Sequence, residues 1–365
     1  MKFETATTQL LSALSLAARF VQKQTNLPVL NSILVVGESG VLTLRATNLE
    51  CGVEISIPAK VIEGGVCAVS SATVLGFVSN TKSPSVSGSV AGGVLKLHTD
   101  KSSASIKTVP HDDFPSLPKV SAEHSFTVRG SDLMRGLKSV IFCSAVSTIK
   151  PELQSVFVSG DAGKLYFAAT DSFRLAEKTT PLKSRGGVSP LLIPAKNAAE
   201  LIRILEGASG DVEVYYNDNQ ISLQVDKVYY TSRLLDGTFP NYRQIIPKDF
   251  STEAVVLRDD LSQALKGLTV FSDKFMQVSF GVDPKKKIVE LSSRNSDVGE
   301  EECVLKAAVS GEGISMSFNS RYLADGLMPI IGESVRLQAN GPGKAMVVRD
   351  AADTSYMYLA MPMNR

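Results

Sequence analysis

The stretch "LPVLNSILVVGESGVLTLRATN" (residues 27–48) has a counterpart in "KPELQSVFVSGDAGKLYFAATD" (150–171). Placed 123 residues apart without a gap, the two segments share nine identities in 22 columns, including two pairs of glycines expected in one turn. A further step of 123 reaches "KFMQVSFGVDPKKKIVELSSR" (274–294), where the two-strand pattern persists. Similarity at a fixed spacing indicates a repeated structural unit. The chain is therefore predicted to hold three copies of one domain.

The length supports this division, because 365 residues exceed what one hydrophobic core usually serves. "HDDFPSLP" (111–118) and "DGTFPNYRQIIP" (236–247) contain prolines that a helix cannot continue through, and they end the first two copies. The predicted domains are 1–120, 121–249 and 250–365.

Each copy shows the same coarse pattern of secondary structure. A short strand leads to an amphipathic helix, then to a hairpin of alternating residues around a glycine-containing turn, a second helix and further strands. Thr7 is the expected N-cap of the first helix. The fold class predicted from this pattern is α+β, with paired helices backed by antiparallel sheets.

Charge is balanced overall, with 38 basic and 37 acidic residues and a net charge of +1. A free-standing nucleic-acid-binding protein is usually more basic. Basic residues nevertheless recur on the polar side of the helices in every copy. One interpretation is an ordinary solvated helix face; the other is a basic surface formed by the repeats together.

The sequence contains no recognisable catalytic or metal-binding motif. The three histidines have no metal-ligand spacing, and no P-loop, GxGxxG or GxSxG element occurs. The four cysteines are scattered, as expected for reduced thiols in the cytoplasm, and Cys143 has the apolar neighbours of a core thiol. No run approaches the length of a membrane span. A non-catalytic protein without metal or cofactor is predicted.

The chain ends on "YMYLAMPMNR" (356–365), although chain ends are normally polar and frayed. The repeat register makes this segment the last strand of the third copy. Methionine side chains are flexible and polarisable, so the Met-Pro-Met sequence also suits a groove that accepts varied apolar ligands. The tail is predicted both to complete a sheet and to line a site.

The segments "ATDSFRLAEK" (169–178), "DGTFPNYRQIIP" and "YLAMPM" (358–363) resemble those of bacterial DNA polymerase III β subunits, the replicative sliding clamps. The opening "MKF" and "LPVLNSILV" fit as well, and the motifs stand in the same order over the whole length. The resemblance implies three clamp domains per chain and a head-to-tail homodimer forming a closed ring around duplex DNA. The implied function is a non-catalytic processivity subunit in the bacterial cytoplasm.

The resemblance implies that basic residues on the repeated helices face the DNA without reading its sequence. Such contacts are weak, and retention comes from topology. The candidate DNA-facing residues are Arg19, Lys23, Arg135, Lys138, Lys150, Lys196, Arg203, Lys266 and Arg321.

The family also has a pocket for short hydrophobic peptides of the polymerase catalytic subunit, the clamp loader and repair proteins. Arg174 and Asn319 are expected to orient the peptide there. Carried over position by position, the pocket consists of Leu153, Thr170, Ser172, Phe173, Arg174, Leu175, Pro240, Ile245, Phe275, Asn319, Tyr322, Leu359, Met361, Pro362 and Met363.

Departures from the family pattern concern the ligand rather than the fold. Many relatives have His where Phe173 stands and a basic residue where Gln244 stands, which puts the peptide preference in doubt. The dimer interface is expected to bring the strand 102–108, with Ala104 and Ile106, against Val270 and Phe271. The alternative is a repeat scaffold that binds peptides without encircling DNA; a nucleic-acid-processing enzyme is the third hypothesis.

Overall fold

The computed structural model describes residues 1–22, 27–120, 124–184 and 186–363. Three successive stretches of these residues repeat one order of elements. In the first stretch the elements are β1 (Lys2–Ala6), α1 (Thr7–Ala17), β2 (Ser32–Glu38), β3 (Val41–Thr47), β4 (Cys51–Pro58), β5 (Lys60–Glu63), β6 (Gly65–Ser70), α2 (Ser71–Ser79), β7 (Ser85–Ala91), β8 (Val94–His98) and β9 (Ser103–Val109).

Among its described residues, the second stretch has the same elements except a counterpart of the short β5. Its elements are β10 (His124–Arg129), α3 (Gly130–Val140), β11 (Ser155–Asp161), β12 (Lys164–Thr170), β13 (Arg174–Pro181), β14 (Val188–Pro194), α4 (Ala195–Leu205), β15 (Asp211–Tyr216), β16 (Gln220–Val225) and β17 (Val228–Arg233).

The third stretch repeats the order of the first in full. Its elements are β18 (Thr252–Leu257), α5 (Arg258–Val270), β19 (Gln277–Asp283), β20 (Ile288–Asn295), β21 (Gly299–Lys306), β22 (Ala308–Gly311), β23 (Ile314–Asn319), α6 (Ser320–Leu327), β24 (Ser334–Ala339), β25 (Met346–Asp350) and β26 (Tyr356–Ala360). This order confirms the predicted α+β repeat. Short 3-10 helices occur at Pro28–Asn31, Ile141–Cys143, Pro151–Gln154 and Tyr242–Ile245.

The chain divides into two compact units. The first comprises 1–131 with 200–234, and the second 132–199 with 235–365, so the middle copy contributes to both. The described strands of the first unit form one sheet, β10-β15-β16-β17-β4-β3-β2-β6-β9-β8-β7-β1-β5. Those of the second form two sheets, β14-β11-β12-β13-β26-β25-β24-β18-β22 and β21-β20-β19-β23.

Strands of different copies join inside each unit. β17 pairs with β4 in the first unit, with Tyr230 opposite Val53, and β26 pairs with β13 in the second, with Tyr358 opposite Ala176. In both cases the last strand of one copy extends the hairpin of the preceding copy. The apolar tail is thus the last strand of the third copy, as predicted, and β26 is buried along its whole length.

The repeated glycines have two different roles. Ser39 and Gly40 both have positive φ (48° and 81°), as do Ala162 and Gly163 (49° and 76°), which matches two-residue type I′ hairpin turns. The other repeated glycine of the first copy, Gly37, was expected in the same turn but lies in β2. A Cβ there would approach Met1 at 3.1 Å, so close packing limits this position.

Helices pack on the sheets through small residues. A Cβ on Gly136 of α3 would lie 2.2 Å from the ring of Phe167, and one on Gly326 of α6 would lie 2.4 Å from Tyr358. The predicted cap of α1 is wrong, because Ala6 occupies the N-cap position and Thr7 is the first helical residue. The buried Thr7 hydroxyl has no hydrogen-bond partner among the described residues. None of the helices in the described ranges has the length and apolar character needed to cross a bilayer.

Candidate functional site

The predicted pocket residues lie in the second unit, around one hydrophobic cluster. Leu153, Leu175 and Leu359 are buried in this cluster together with Tyr242 and Met357. They come from a 3-10 helix, β13 and β26, and the pairing of Leu175 with Leu359 sets two of them side by side. The predicted floor of the pocket is therefore a single packed surface.

Above this floor the structure leaves several large apolar side chains exposed. Phe173 is 62% exposed, Ile245 59%, Phe275 57% and Met361 38%. Isolated exposed apolar residues are common, but Phe173 and Met361 flank the paired strands of the floor, and Ile245 shares a 3-10 helix with Tyr242. These side chains are therefore a candidate binding surface. Pro240 lies on the same link as Ile245, and its carbonyl accepts a hydrogen bond from Tyr242 N–H at 2.7 Å.

The tail after β26 connects two parts of this surface. Met361 N–H donates to the carbonyl oxygen of Phe173 at 2.8 Å, and Met363 N–H donates to that of Ser317 at 2.7 Å. The Met-Pro-Met segment is thereby fixed between the β12–β13 loop and β23. Its backbone position does not depend on a ligand.

The β12–β13 loop is held by its own side chains. Asp171 Oδ1 accepts hydrogen bonds from the N–H groups of Phe173 and Arg174 at 2.9 and 3.0 Å, while Thr170 Oγ1 donates to Arg174 O at 2.7 Å. Ser172 takes a positive φ of 77°. Such a loop presents Phe173 outward in a defined position.

The same loop occurs in the first copy, which shows that it is a feature of the repeat. Asn48 Oδ1 accepts hydrogen bonds from Glu50 N–H and Cys51 N–H at 3.0 and 2.8 Å. Leu49, the counterpart of Ser172, has a φ of 73°. Thr47 Oγ1 donates to Cys51 O at 2.9 Å, as its counterpart does in the second copy.

Each nitrogen of the Arg174 guanidinium donates a hydrogen bond within the second unit. Its Nε donates to Asp171 Oδ2 at 2.9 Å, Nη1 to Asp325 Oδ2 at 2.7 Å and Nη2 to Phe142 O at 2.8 Å. The guanidinium also lies 4.3 Å from the ring centroid of Tyr322. Burial alone would lower the pKa of Arg174, but its hydrogen bonds to Asp325 and Asp171 raise it.

Asn319 is engaged in a similar way. Its Oδ1 caps α6 by accepting from the N–H groups of Arg321 and Tyr322 at 3.0 and 3.2 Å. Its Nδ2 donates to Phe275 O at 3.2 Å. Arg174 and Asn319 therefore position the loops that carry Phe173 and Phe275, and the orientation of a ligand by these two side chains stays a prediction.

The sequence did not indicate one part of the surface around the tail. A cavity of about 430 Å3 adjoins Pro362 and Met363, and its other walls are Ser315, Met316, Ser317, Pro342 and Gly343. Nothing in the sequence marks the loop at Pro342, because its approach to the tail follows from sheet pairing. The described residues hold no cluster of three or more His, Cys, Asp or Glu side chains arranged for a metal ion.

The candidate DNA-facing residues are exposed wherever the structure describes them. They lie on or beside α1, α3, α4, α5 and α6, or in the loop at Lys150; α2 carries no charged residue, and Lys23 lies outside the described residues. Arg19 forms an ion pair with Glu200, which also lies 3.9 Å from Arg203, and Arg135 lies 3.7 Å from Asp132. The remaining described candidates, which have no ion pair with a described residue, are Lys138, Lys150, Lys196, Lys266 and Arg321.

Three consecutive segments match three domains of one protein family. Residues 1–118 match the DNA polymerase III beta subunit N-terminal domain, residues 127–241 the central domain and residues 243–364 the C-terminal domain. The chain belongs to the DNA polymerase III beta subunit family. Along the chain the three matched segments follow the three structural repeats.

Individual relatives align with this chain over 99–100% of their own lengths. The beta sliding clamp of Synechococcus elongatus is 28% identical over 100% of this chain and 99% of its own, and that of Escherichia coli K12 is 26% identical over 100% of both. The crystal structure of the DNA polymerase III subunit beta from Pseudomonas aeruginosa has a TM-score of 0.93 at 25% identity, covering 100% of both chains. The DNA polymerase sliding clamp from Bacillus subtilis has a TM-score of 0.95 at 22% identity, covering 100% of this chain and 99% of its own.

Proposed function

We propose that this protein is a DNA sliding clamp, which encircles duplex DNA and tethers the replicative polymerase during processive synthesis. Membership of the DNA polymerase III beta subunit family supports this function, and so does full-length similarity to proteins named beta sliding clamp. The subunit is non-catalytic and needs no cofactor. Its proposed domains are 1–120, 121–249 and 250–365, and its proposed location is the bacterial cytoplasm at the replication fork.

The observation that supports the proposed ring concerns two strand edges, of β21 and of most of β9, that have no partner strand among the described residues. β17 extends the hairpin that ends in β4, and β26 extends the hairpin that ends in β13. Among the described strands, β21 has only β20 as a neighbour, although it occupies the same place in the third copy. β9 is the counterpart of β17 and β26, and it meets β6 at only two residue pairs.

In a dimer, both edges would be paired if β9 of each chain formed hydrogen bonds with β21 of the other chain. Glu300, Glu301 and Glu302 on β21 would then approach Lys107 on β9, which is favourable electrostatically. Ala104 and Ile106 lie on β9, and the side chain of Val270 is 67% exposed at the end of α5. These residues and the neighbouring Phe271 are the proposed dimer interface.

The exposed basic residues of the helices support weak, sequence-independent contacts with the DNA backbone. Those without an ion pair, such as Lys138 and Lys266, are the best candidates. A small net charge suits a clamp that must slide, because every neutralised phosphate adds to salt-dependent affinity. Topology rather than affinity then keeps the protein on DNA.

The proposed ligands of the pocket in the second unit are short hydrophobic peptides of the DNA polymerase III catalytic subunit, the clamp loader and other polymerases or repair proteins. Exposed Phe173, Ile245, Phe275 and Met361 above a buried apolar floor support this assignment. Flexible methionines adapt to different peptide side chains.

The decisive experiment is retention on DNA of defined topology. The labelled protein is incubated with a bacterial clamp loader, ATP and nicked circular DNA, and then passed over a sizing column in high salt. We expect co-elution with the circle and release after a restriction enzyme linearises it. A monomer in solution would instead favour the peptide-binding scaffold, and equal retention on circular and linear DNA would contradict encirclement.

A further inference from the structure

Two arginines lie directly opposite each other on the sheet of the second unit. Arg336 of β24 pairs with Arg349 of β25, and Arg349 is next to Met357 of β26. Like charges directly opposite each other in a sheet are destabilising unless something neutralises them. The pair therefore requires an explanation.

Neither arginine is well neutralised by the described residues around it. Arg336 Nε is buried without a hydrogen bond to a described residue, and the ion pair of Arg336 with Glu253 is long, with Oε1 3.6 Å away. Glu253 is held through its other oxygen by Gln338 at 2.8 Å. Arg349 forms no ion pair or hydrogen bond with a described residue. Burial lowers the pKa of Arg349; the charge of Arg336 lowers it further, and the charge of Glu177 acts in the opposite direction.

The other acidic group of this region is also engaged. Glu177 Oε2 accepts a hydrogen bond from the Tyr242 hydroxyl and lies 3.6 Å from Arg243 Nε. Glu177 is separated from Arg349 by Met357 of the intervening strand. The face thus carries an excess of positive charge centred on Arg336 and Arg349.

The arginine pair lies on the sheet that forms the floor of the proposed peptide pocket. Leu175 pairs with Leu359, and Leu359 pairs with Val347, two residues before Arg349 in β25. Met361 follows Met357 by four residues, which corresponds to about 13 Å along an extended chain. A peptide anchored beside Met361 needs roughly four further extended residues to reach the pair.

We propose that Arg336 and Arg349 bind acidic side chains that flank the hydrophobic motif of the partner peptide. This proposal rests on the proposed peptide-binding function. Two guanidinium groups side by side suit carboxylates, which accept bidentate hydrogen bonds from arginine. The pair makes the pocket select acidic flanks over neutral ones.

The test is fluorescence polarisation with two pairs of labelled peptides that share one hydrophobic motif; in each pair one peptide carries a flank of Glu and Asp and the other a flank of Gln and Asn. Flanks are placed before the motif in one peptide pair and after it in another. We expect the acidic flank on one side to tighten binding roughly three- to tenfold in low salt. Arg336→Gln and Arg349→Gln should remove this gain and leave the neutral peptide's affinity unchanged.

The control is Arg129→Gln, which makes the same charge change at an exposed position of β10 and should retain the gain. An equal gain in the Arg336 and Arg349 variants, or no gain on either side, would overturn the proposal. If neither peptide binds, the proposed pocket itself fails, and the acidic-flank proposal fails with it.

A second measurement separates the anion site from the pocket. Sodium sulfate is compared with sodium chloride at equal ionic strength, and the midpoint of thermal unfolding is recorded. We expect sulfate to raise the unfolding midpoint of the unmodified protein more than that of the Arg349→Gln variant, because a bound anion relieves the repulsion between Arg336 and Arg349. Equal stabilisation of both would count against the arginine pair even if peptides bind.

Discussion

Arg19 donates two hydrogen bonds to the carboxylate of Glu200, with Nε 2.5 Å from Oε2 and Nη2 2.8 Å from Oε1. The two residues are 181 positions apart in the sequence. Because Glu200 also lies 3.9 Å from Arg203, one carboxylate offsets part of the charge of two candidate DNA contacts. Glu200 therefore weakens the attraction of Arg19 and Arg203 for DNA phosphates, and the helix patterns alone did not indicate the pairing of Arg19 with Glu200.

We expect Glu200→Gln to strengthen binding of the unloaded protein to duplex DNA. Loss of the carboxylate frees two arginines for phosphate, so the salt dependence should steepen by about one unit of slope per added contact. Fluorescence anisotropy over a salt series measures this. Glu206→Gln, at an exposed position shortly after α4, is the charge-matched control and should change little. Identical slopes for the two variants would show that neither arginine approaches DNA.

Phe173→Ala should weaken peptide binding by at least about tenfold, because buried aromatic anchors dominate such interfaces. In the free protein the side chain is 62% exposed, so the free energy of unfolding should change by less than about 0.5 kcal/mol. Polarisation with a hydrophobic peptide and urea unfolding test the two parts. Leu49→Ala, in the corresponding loop of the first copy, should leave binding intact; unchanged binding by Phe173→Ala would exclude this side chain from the site.

Arg174→Ala should destabilise the protein by about 2–4 kcal/mol, because it leaves two poorly solvated carboxylates without their partner. The side chains of Arg174, Asp171 and Asp325 are only 13%, 15% and 22% exposed. Arg45→Ala is the matched control, since Arg45 has one carboxylate partner and is 40% exposed, so its loss should cost about 1 kcal/mol or less. Urea unfolding compares them, and equal costs would mean that Arg174 has no special structural role.

Asp350 should make stability depend on pH in the acid range. Burial alone would raise its pKa, but hydrogen bonds from the N–H groups of Ala352, Gly332 and Asp353 lower it below the usual 3.8. A carboxyl with a lowered folded pKa stabilises the protein above its unfolded pKa, and this contribution is lost as pH falls through the folded value. Urea unfolding from pH 6 to pH 3 should show a shallower loss for Asp350→Asn, and parallel curves would contradict this.

Val270→Glu should convert the proposed dimer into a monomer without unfolding it. The side chain is 67% exposed in the single chain, so the added charge harms only an interface, where burying an unpaired carboxylate is costly. Analytical ultracentrifugation at micromolar concentration measures the change, and circular dichroism confirms folding. Val146→Glu, at a side chain that is 94% exposed, should remain dimeric. A dimeric Val270→Glu protein would place the interface elsewhere.

Local features of the fold were predictable from the sequence because they are encoded within short segments. The offset of 123 located the repeated hairpins and, through the repeat register, the tail strand. Pairing of β17 with β4 and of β26 with β13 was not predictable, since alternation marks a strand without naming its neighbour. The engagement of Arg174 and Asn319 was missed for the same reason: Asp325 is 151 residues from Arg174 in the sequence.

The pairing of β26 with β13 also bears on how the chain is synthesised. β13 pairs with β12 on one side, and the other edge of its residues Arg174–Lys178 is covered only when residues 356–360 have been synthesised. Until then an apolar strand edge is open to pairing with other chains. A product that terminates early would keep that edge permanently, so we expect shortened polypeptides to aggregate or to be degraded. Synthesis of residues 356–360 thus acts as a quality check on the part of the chain that precedes them.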